Sequence, residues 1–149
     1  MASYISNLVH YVWGTESRRP VIKEDWKDRL YGYFGGILRN KKAKLISVGG
    51  MPDHVHVYAS LPATVSISQI ASALKSNSSR WVHENIPRAD KFGWQDGYGA
   101  FSVSKSAEPT LLRYIANQVE HHRKREFKEE LIALLEKHEI DYEDRYLWV

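Results

Sequence analysis

The sequence predicts an α+β fold, in which one antiparallel sheet carries helices on one face in a split β-α-β order of the ferredoxin or RRM type. Three observations predict it. Apolar residues alternate between a strand period of about 2 and a helix period of about 3.6, in the order β-α-β-β-α-β-α, with room for a further short strand in the last β segment. Gly49-Gly50-Met51-Pro52 reads as the turn of a hairpin between two strand-like runs. The 149 residues show no repeat, linker or low-complexity stretch, so they read as a single domain with enough chain for a real core.

Residues 4–13 (YISNLVHYVW) are β-branched and aromatic and predict a strand. A helix is expected from about Lys23 to Asn40, because Trp26, Leu30, Phe34 and Ile37 form one stripe; Gly35-Gly36 weakens its last turns. Residues 44–49 and 54–61 are the two hairpin strands. A helix follows from Ser66 or Ser68 to Glu84, buried along Ile67, Ile70, Ala71, Leu74, Ser78, Trp81 and Val82, and Pro87 closes it. Residues 91–104 hold one or two short strands broken by Gly93, Gly97 and Gly99. A helix from about Pro109 to Glu120 carries Tyr114 and Gln118, and residues 126–138 form a last helix. The tail has three aromatics, Tyr142, Tyr146 and Trp148, and the acidic stretch from Glu136 to Asp144 reads as a solvated cap.

There is no cysteine, which excludes disulfides and thiolate zinc sites. Any metal must be held by His, carboxylate or amide oxygen. No apolar run approaches the ~18–20 residues that span a membrane. MASYISNLVHYVWGT lacks the basic flank and long apolar core of a signal peptide, so a cytoplasmic location is expected. The 21 basic and 18 acidic residues leave a net charge of +3, which permits nucleic-acid binding without demanding it.

The chemistry concentrates in Asp53-His54-Val55-His56-Val57. On a strand, His54 and His56 point one way and Val55 and Val57 the other. Two imidazoles on one face are two-thirds of a divalent-metal site, although His-x-His alone is a weak signal. The segment from Arg113 to Gln118 strengthens it. Tyr114 and Gln118 lie four residues apart on one helix face, with His121 and His122 just beyond. His54, His56 and the Gln118 amide oxygen could then hold Mg²⁺, Mn²⁺ or Zn²⁺, the lack of thiolates weighing against zinc. His121 or His122 stands as an alternative third ligand. Tyr114 would be the nucleophile, a phenol of pKa about 10 that needs activation. Its phosphotyrosine ester would conserve the broken bond's energy for rejoining.

Taken together, GGMPDHVHVYASLP (49–62), LKSNSSRW (74–81), WQDGYGAFSVS (94–104), YIANQVEHHRKREFKEE (114–130) and DYEDRYLW (141–148) resemble the single-tyrosine (Y1) transposases of the IS200/IS605 type, within the HUH endonuclease superfamily. The resemblance spans nearly the whole chain. It implies a DNA transposase, a metal-dependent endonuclease and strand transferase that cleaves and rejoins single-stranded DNA at element ends and recognises hairpins near them. The tyrosine stays on the 5′ side of the cut and a 3′-hydroxyl is released. It further implies His54, His56 and Gln118 as ligands of Mg²⁺ or Mn²⁺, Tyr114 as nucleophile, and a homodimer with composite sites.

The basic clusters are Arg18-Arg19, Arg39 with Lys41, Lys42 and Lys44, Lys75 with Arg80, and Arg123-Lys124-Arg125. Each is a solvated face or a phosphate contact. Hairpin recognition should add stacking of unpaired bases on aromatics, although Trp81 falls on an apolar stripe and reads as core. Three rivals share these residues in part. A domesticated relative processing chromosomal palindromes would keep the same catalytic set. A non-catalytic nucleic-acid-binding module would have no need of all four residues. A small metal-dependent hydrolase lacks an evident general base.

Overall fold

The computed structural model describes residues 2–89, 91–123 and 125–147. Its central strand is β1 (Leu8–Gly14), which begins four residues later than position 4; Tyr4 and Ile5 find no apolar surface and are exposed. β1 turns Val9, Tyr11 and Trp13 to one face of the sheet and His10 and Val12 to the other. It pairs antiparallel with β3 (His54–Ser60) and β4 (Gly99–Ser102), and β3 pairs with β2 (Lys44–Met51), giving the order β2-β3-β1-β4. The fold is the expected antiparallel sheet with helices, and residues 91–104 contribute one named strand to its four.

The first face carries the larger core. Here α1 (Lys27–Asn40) and α2 (Ile67–Asn85) bury Leu30, Phe34, Leu38, Ile70, Leu74 and Val82 against Val55 and Val57. α1 starts after a turn at residues 24–26 and runs through Gly35-Gly36 to Asn40. Ser66 caps α2: its hydroxyl accepts from Gln69 N (3.1 Å), and Gln69 Oε1 accepts from Ser66 N (2.8 Å). Such caps are worth about 1 kcal/mol. Trp81 is half-buried and stacks on Tyr33 at 5.4 Å.

The hairpin turn is Pro52-Asp53, two residues beyond Gly50. Gly49 and Gly50 lie inside β2, opposite His56 and Val55. Gly49 serves close approach instead of a turn. A Cβ there would lie 2.7 Å from the Ile115 carbonyl oxygen of α3 (Glu108–Ala116), so the missing side chain lets α3 sit directly on the strand.

α1 and α2 make the predicted one-face layer, and the opposite face is covered as well. α3, α4 (Gln118–His122) and α5 (Phe127–Lys137) lie over it. The single helix expected over 109–120 breaks at Asn117 (φ −104°, ψ 28°). α5 packs Phe127, Leu131 and Leu135 with Val12 and Phe101 in a second, smaller core. Tyr142 and Tyr146 are exposed, while Trp148 and Lys124 lie outside the described residues. Among the described residues no helix is long and apolar enough to cross a membrane.

Candidate active site

His54 and His56 project from β3 into the layer between the sheet and α3–α5, where both are fully buried. Their outer nitrogens are engaged. His54 Nδ1 lies 2.7 Å from Asp53 Oδ1, and His56 Nδ1 lies 2.8 Å from His10 Nε2 on β1. This is the pattern of metal-binding histidines, in which one ring nitrogen is oriented by a neighbour and the other is left to bind. The two Nε2 atoms accordingly point to a common centre.

Gln118 opens α4 and is 2% exposed. Its Oε1 lies 3.2 Å from His54 Nε2, and its Nε2 donates to the Tyr114 carbonyl at 3.3 Å. That bond bridges the break at Asn117, so the four-residue spacing survives it. His122 Nε2 stands 3.1 Å from the same Gln118 oxygen. The Tyr114 ring meets His56 edge-on at 5.4 Å and His121 at 5.0 Å. All four sequence-predicted residues thus converge, with both alternative ligands close by.

Glu130, on α5, is the residue the sequence reading passed over. It is 1% exposed, with Oε1 3.0 Å from His56 Nε2 and 3.2 Å from His54 Nε2. Its Oε2 is 3.2 Å from both His121 and His122 Nε2. A signal existed: Glu130 shares the apolar stripe of Phe127, Leu131 and Leu135, where an acidic residue is out of place. His10 likewise occupies an inward position of β1.

Burial opposes charge on His54, but Asp53 and then Glu130 outweigh it and raise its pKa to about 9. Burial also opposes ionisation of Glu130, yet contacts with His54 and His56 hold its carboxyl well below the usual range. Burial lowers His10, His56 and His122. It pushes the Tyr114 phenol up, and the Glu130 charge adds to that. Imidazole, amide and carboxylate donors around one buried centre are a set that suits a divalent cation; donor atoms of His54, His122 and Glu130 all lie within 4.8 Å of one another.

A cavity of about 380 Å³ opens beside the site, bordered by Phe101, Tyr114, Arg125, Glu130 and Lys137. Tyr114 also borders an outer groove with Arg113, Asn117 and Arg125. The phenol therefore sits between the buried centre and a surface with basic side chains.

Residues 3–118 match the family model described as transposase IS200 like. The chain belongs to this family. Over 114 residues it is 26% identical to the ISDra2 transposase TnpA of Deinococcus radiodurans, covering 73% of this chain and 81% of the relative. Two solved structures share the fold. One is a crystal structure of a proposed transposase from Deinococcus radiodurans R1 (TM-score 0.66, 24% identity, 79% of this chain and 95% of that one). The other is a REP-associated tyrosine transposase bound to a REP hairpin (TM-score 0.60, 16% identity, 81% of this chain and 72% of that one). For an IS200-like transposase, the class of activity is DNA cleavage and strand transfer, and DNA is the partner.

Proposed function

We propose that this IS200-like transposase cleaves and rejoins single-stranded DNA at the ends of an insertion element, through a 5′-phosphotyrosine on Tyr114. A divalent cation, Mg²⁺ or Mn²⁺, would be held by His54, His56 and Gln118. One observation carries the reading: Tyr114 packs on His56 at 5.4 Å while Gln118, one helical turn on, places Oε1 3.2 Å from His54. Nucleophile and third donor are thereby delivered to the two histidines by one short segment.

In cleavage the Tyr114 oxygen forms a bond to phosphorus and loses its proton, while the bond to the 3′-oxygen breaks and that oxygen takes up a proton. The reverse displacement by a 3′-hydroxyl rejoins strands and frees the phenol. A phenol is protonated at neutral pH, and burial together with the Glu130 charge pushes the Tyr114 pKa further up, so Tyr114 needs activation to attack. The cation, when bound, supplies charge neutralisation at the phosphodiester and favours the phenolate. Asp53 and His10 hold the imidazoles in register through their Nδ1 atoms. Arg125 and Arg113 flank Tyr114 where a phosphate backbone would pass.

Hairpin recognition near the element ends is part of the proposal, and the fold shared with a hairpin-bound structure supports it. A homodimer with composite sites is a second arrangement within the proposal: exchange of α3 and α4 between two copies would rebuild the same contacts in trans. The same fold likeness keeps a domesticated role on chromosomal palindromes as the second functional reading; one gene copy among scattered palindromes would favour it. The deciding experiment incubates labelled single strands from the gene's own flanks with Mn²⁺ or Mg²⁺ and runs a denaturing gel. An adduct lost in Tyr114→Phe and in EDTA supports the proposal. Equal hairpin binding with and without metal, and no cleavage of any strand, would favour a pure binding module.

A further inference from the structure

We propose that Glu130 and His122 are themselves metal ligands, so that the centre is a five-donor cage of His54, His56, His122, Gln118 and Glu130 that prefers a first-row cation of the Mn²⁺ class over Mg²⁺. This rests on the reading of His54 and His56 as ligands and extends it to two residues outside the His-x-His and Tyr-x-x-x-Gln motifs.

Donor atoms of His54, Gln118, His122 and Glu130 form a circuit closed through the Glu130 carboxylate, and His56 joins it at Glu130 Oε1. His56 Nε2 stands 3.0 Å from Glu130 Oε1, which stands 3.2 Å from His54 Nε2. His54 Nε2 is 3.2 Å from Gln118 Oε1, and that oxygen is 3.1 Å from His122 Nε2. His122 Nε2 closes the circuit at 3.2 Å from Glu130 Oε2. Atoms held about 2.1 Å from one octahedral ion stand roughly 3 Å apart when adjacent. Each of the five residues therefore has a neighbouring donor at the spacing of one coordination sphere, and the donors of His54, His122 and Glu130 all lie within 4.8 Å of one another.

Burial points the same way. A carboxylate that is 1% exposed is costly unless paired, and both Glu130 oxygens face imidazole nitrogens. A divalent ion held among these donors would balance its charge. Glu130 would be the only formally negative member of this donor set, which also includes three imidazoles and an amide. Mg²⁺ favours oxygen ligands and bound water, whereas imidazole-rich sets favour first-row transition ions. His121 is assigned outside the cage. It reaches Glu130 Oε2 at 3.2 Å without an aligned hydrogen bond, and its ring packs on Tyr114.

The consequence is that α5, which lies beyond the 3–118 match, becomes part of the metal centre. The test is Mn²⁺ binding by the full chain, followed by electron paramagnetic resonance, with pulsed measurements that count the nitrogens coupled to the ion. The wild type should show three imidazole nitrogens and His122→Gln two. Glu130→Gln, which preserves shape, should weaken Mn²⁺ binding by about 10-fold or more, with its circular dichroism unchanged. Mg²⁺ should compete only at roughly 100-fold excess. Two nitrogens in the wild type, or unaltered affinity in Glu130→Gln, would overturn the cage and leave Glu130 as an anchor for α5. Equal competition by Mg²⁺ would overturn the preference. The underlying reading fails separately, through His54→Ala binding Mn²⁺ as tightly as the wild type.

Discussion

His56 Nδ1 and His10 Nε2 meet at 2.8 Å across neighbouring strands, and both rings are buried. If Nε2 of His56 is to bind a cation, Nδ1 must keep the proton and give it to His10. Burial and the neighbouring His56 lower the His10 pKa, which suits a neutral acceptor. His10 is therefore a positioning residue for His56. His10→Phe should fold, since Val12 and Phe101 already line that face. Its cation affinity should fall by about 10- to 100-fold, read by calorimetric titration. Unchanged affinity would separate His10 from the site.

Gly49 sets the distance between α3 and the sheet. In Gly49→Ala the new methyl would meet the Ile115 carbonyl oxygen at 2.7 Å and its Cγ2 at 2.9 Å. Overpacking of this kind costs about 1–3 kcal/mol. Because Gly49 pairs with His56 and Ile115 follows Tyr114, the shift should move the phenol off the histidines. We expect a modest drop in melting temperature and a much larger loss of strand cleavage, measured on the same preparation.

The metal-free protein should be most stable near pH 6.5. As pH rises from 6.5 through about 9, the folded chain loses a His54 proton that the unfolded chain has already lost, so stability falls. As pH drops below 6.5, the unfolded chain takes up protons at His10, His56 and His122 that the folded chain resists, and stability falls again. Thermal melts in chelator across this window check both limbs. A steady rise toward pH 9 would contradict the His54 pairing with Asp53 and Glu130.

Tyr114 packs on His56 of the same chain at 5.4 Å, the arrangement expected of a site completed in cis. A mixture of Tyr114→Phe and His54→Ala proteins should then stay inactive. Recovery of cleavage in the mixture would instead establish composite sites in a dimer that exchanges α3 and α4.

His54 and His56 were legible in the sequence because strand alternation is local. So was the Tyr114–Gln118 pair, whose spacing holds even though the helix breaks at Asn117. The hairpin was legible but its turn was not: Gly49 and Gly50 look like turn residues, yet Gly49 exists for a helix 66 positions away, at Ile115. α5 shows the same limit. Its stripe of Phe127, Leu131 and Leu135 announces a buried face without saying which side of the sheet it will cover. Glu130 could be noticed as misplaced on that stripe, but its four imidazole neighbours come from β3 and α4 and depend on long-range packing.

The most direct test of the account is to trap the DNA adduct, digest both components and locate the modified residue by mass spectrometry. The account predicts a nucleotide joined through its 5′-phosphate to Tyr114, formed only with a divalent cation. The same nucleotide on another tyrosine, such as the exposed Tyr98 or Tyr146, or cleavage that leaves no residue modified, would contradict it.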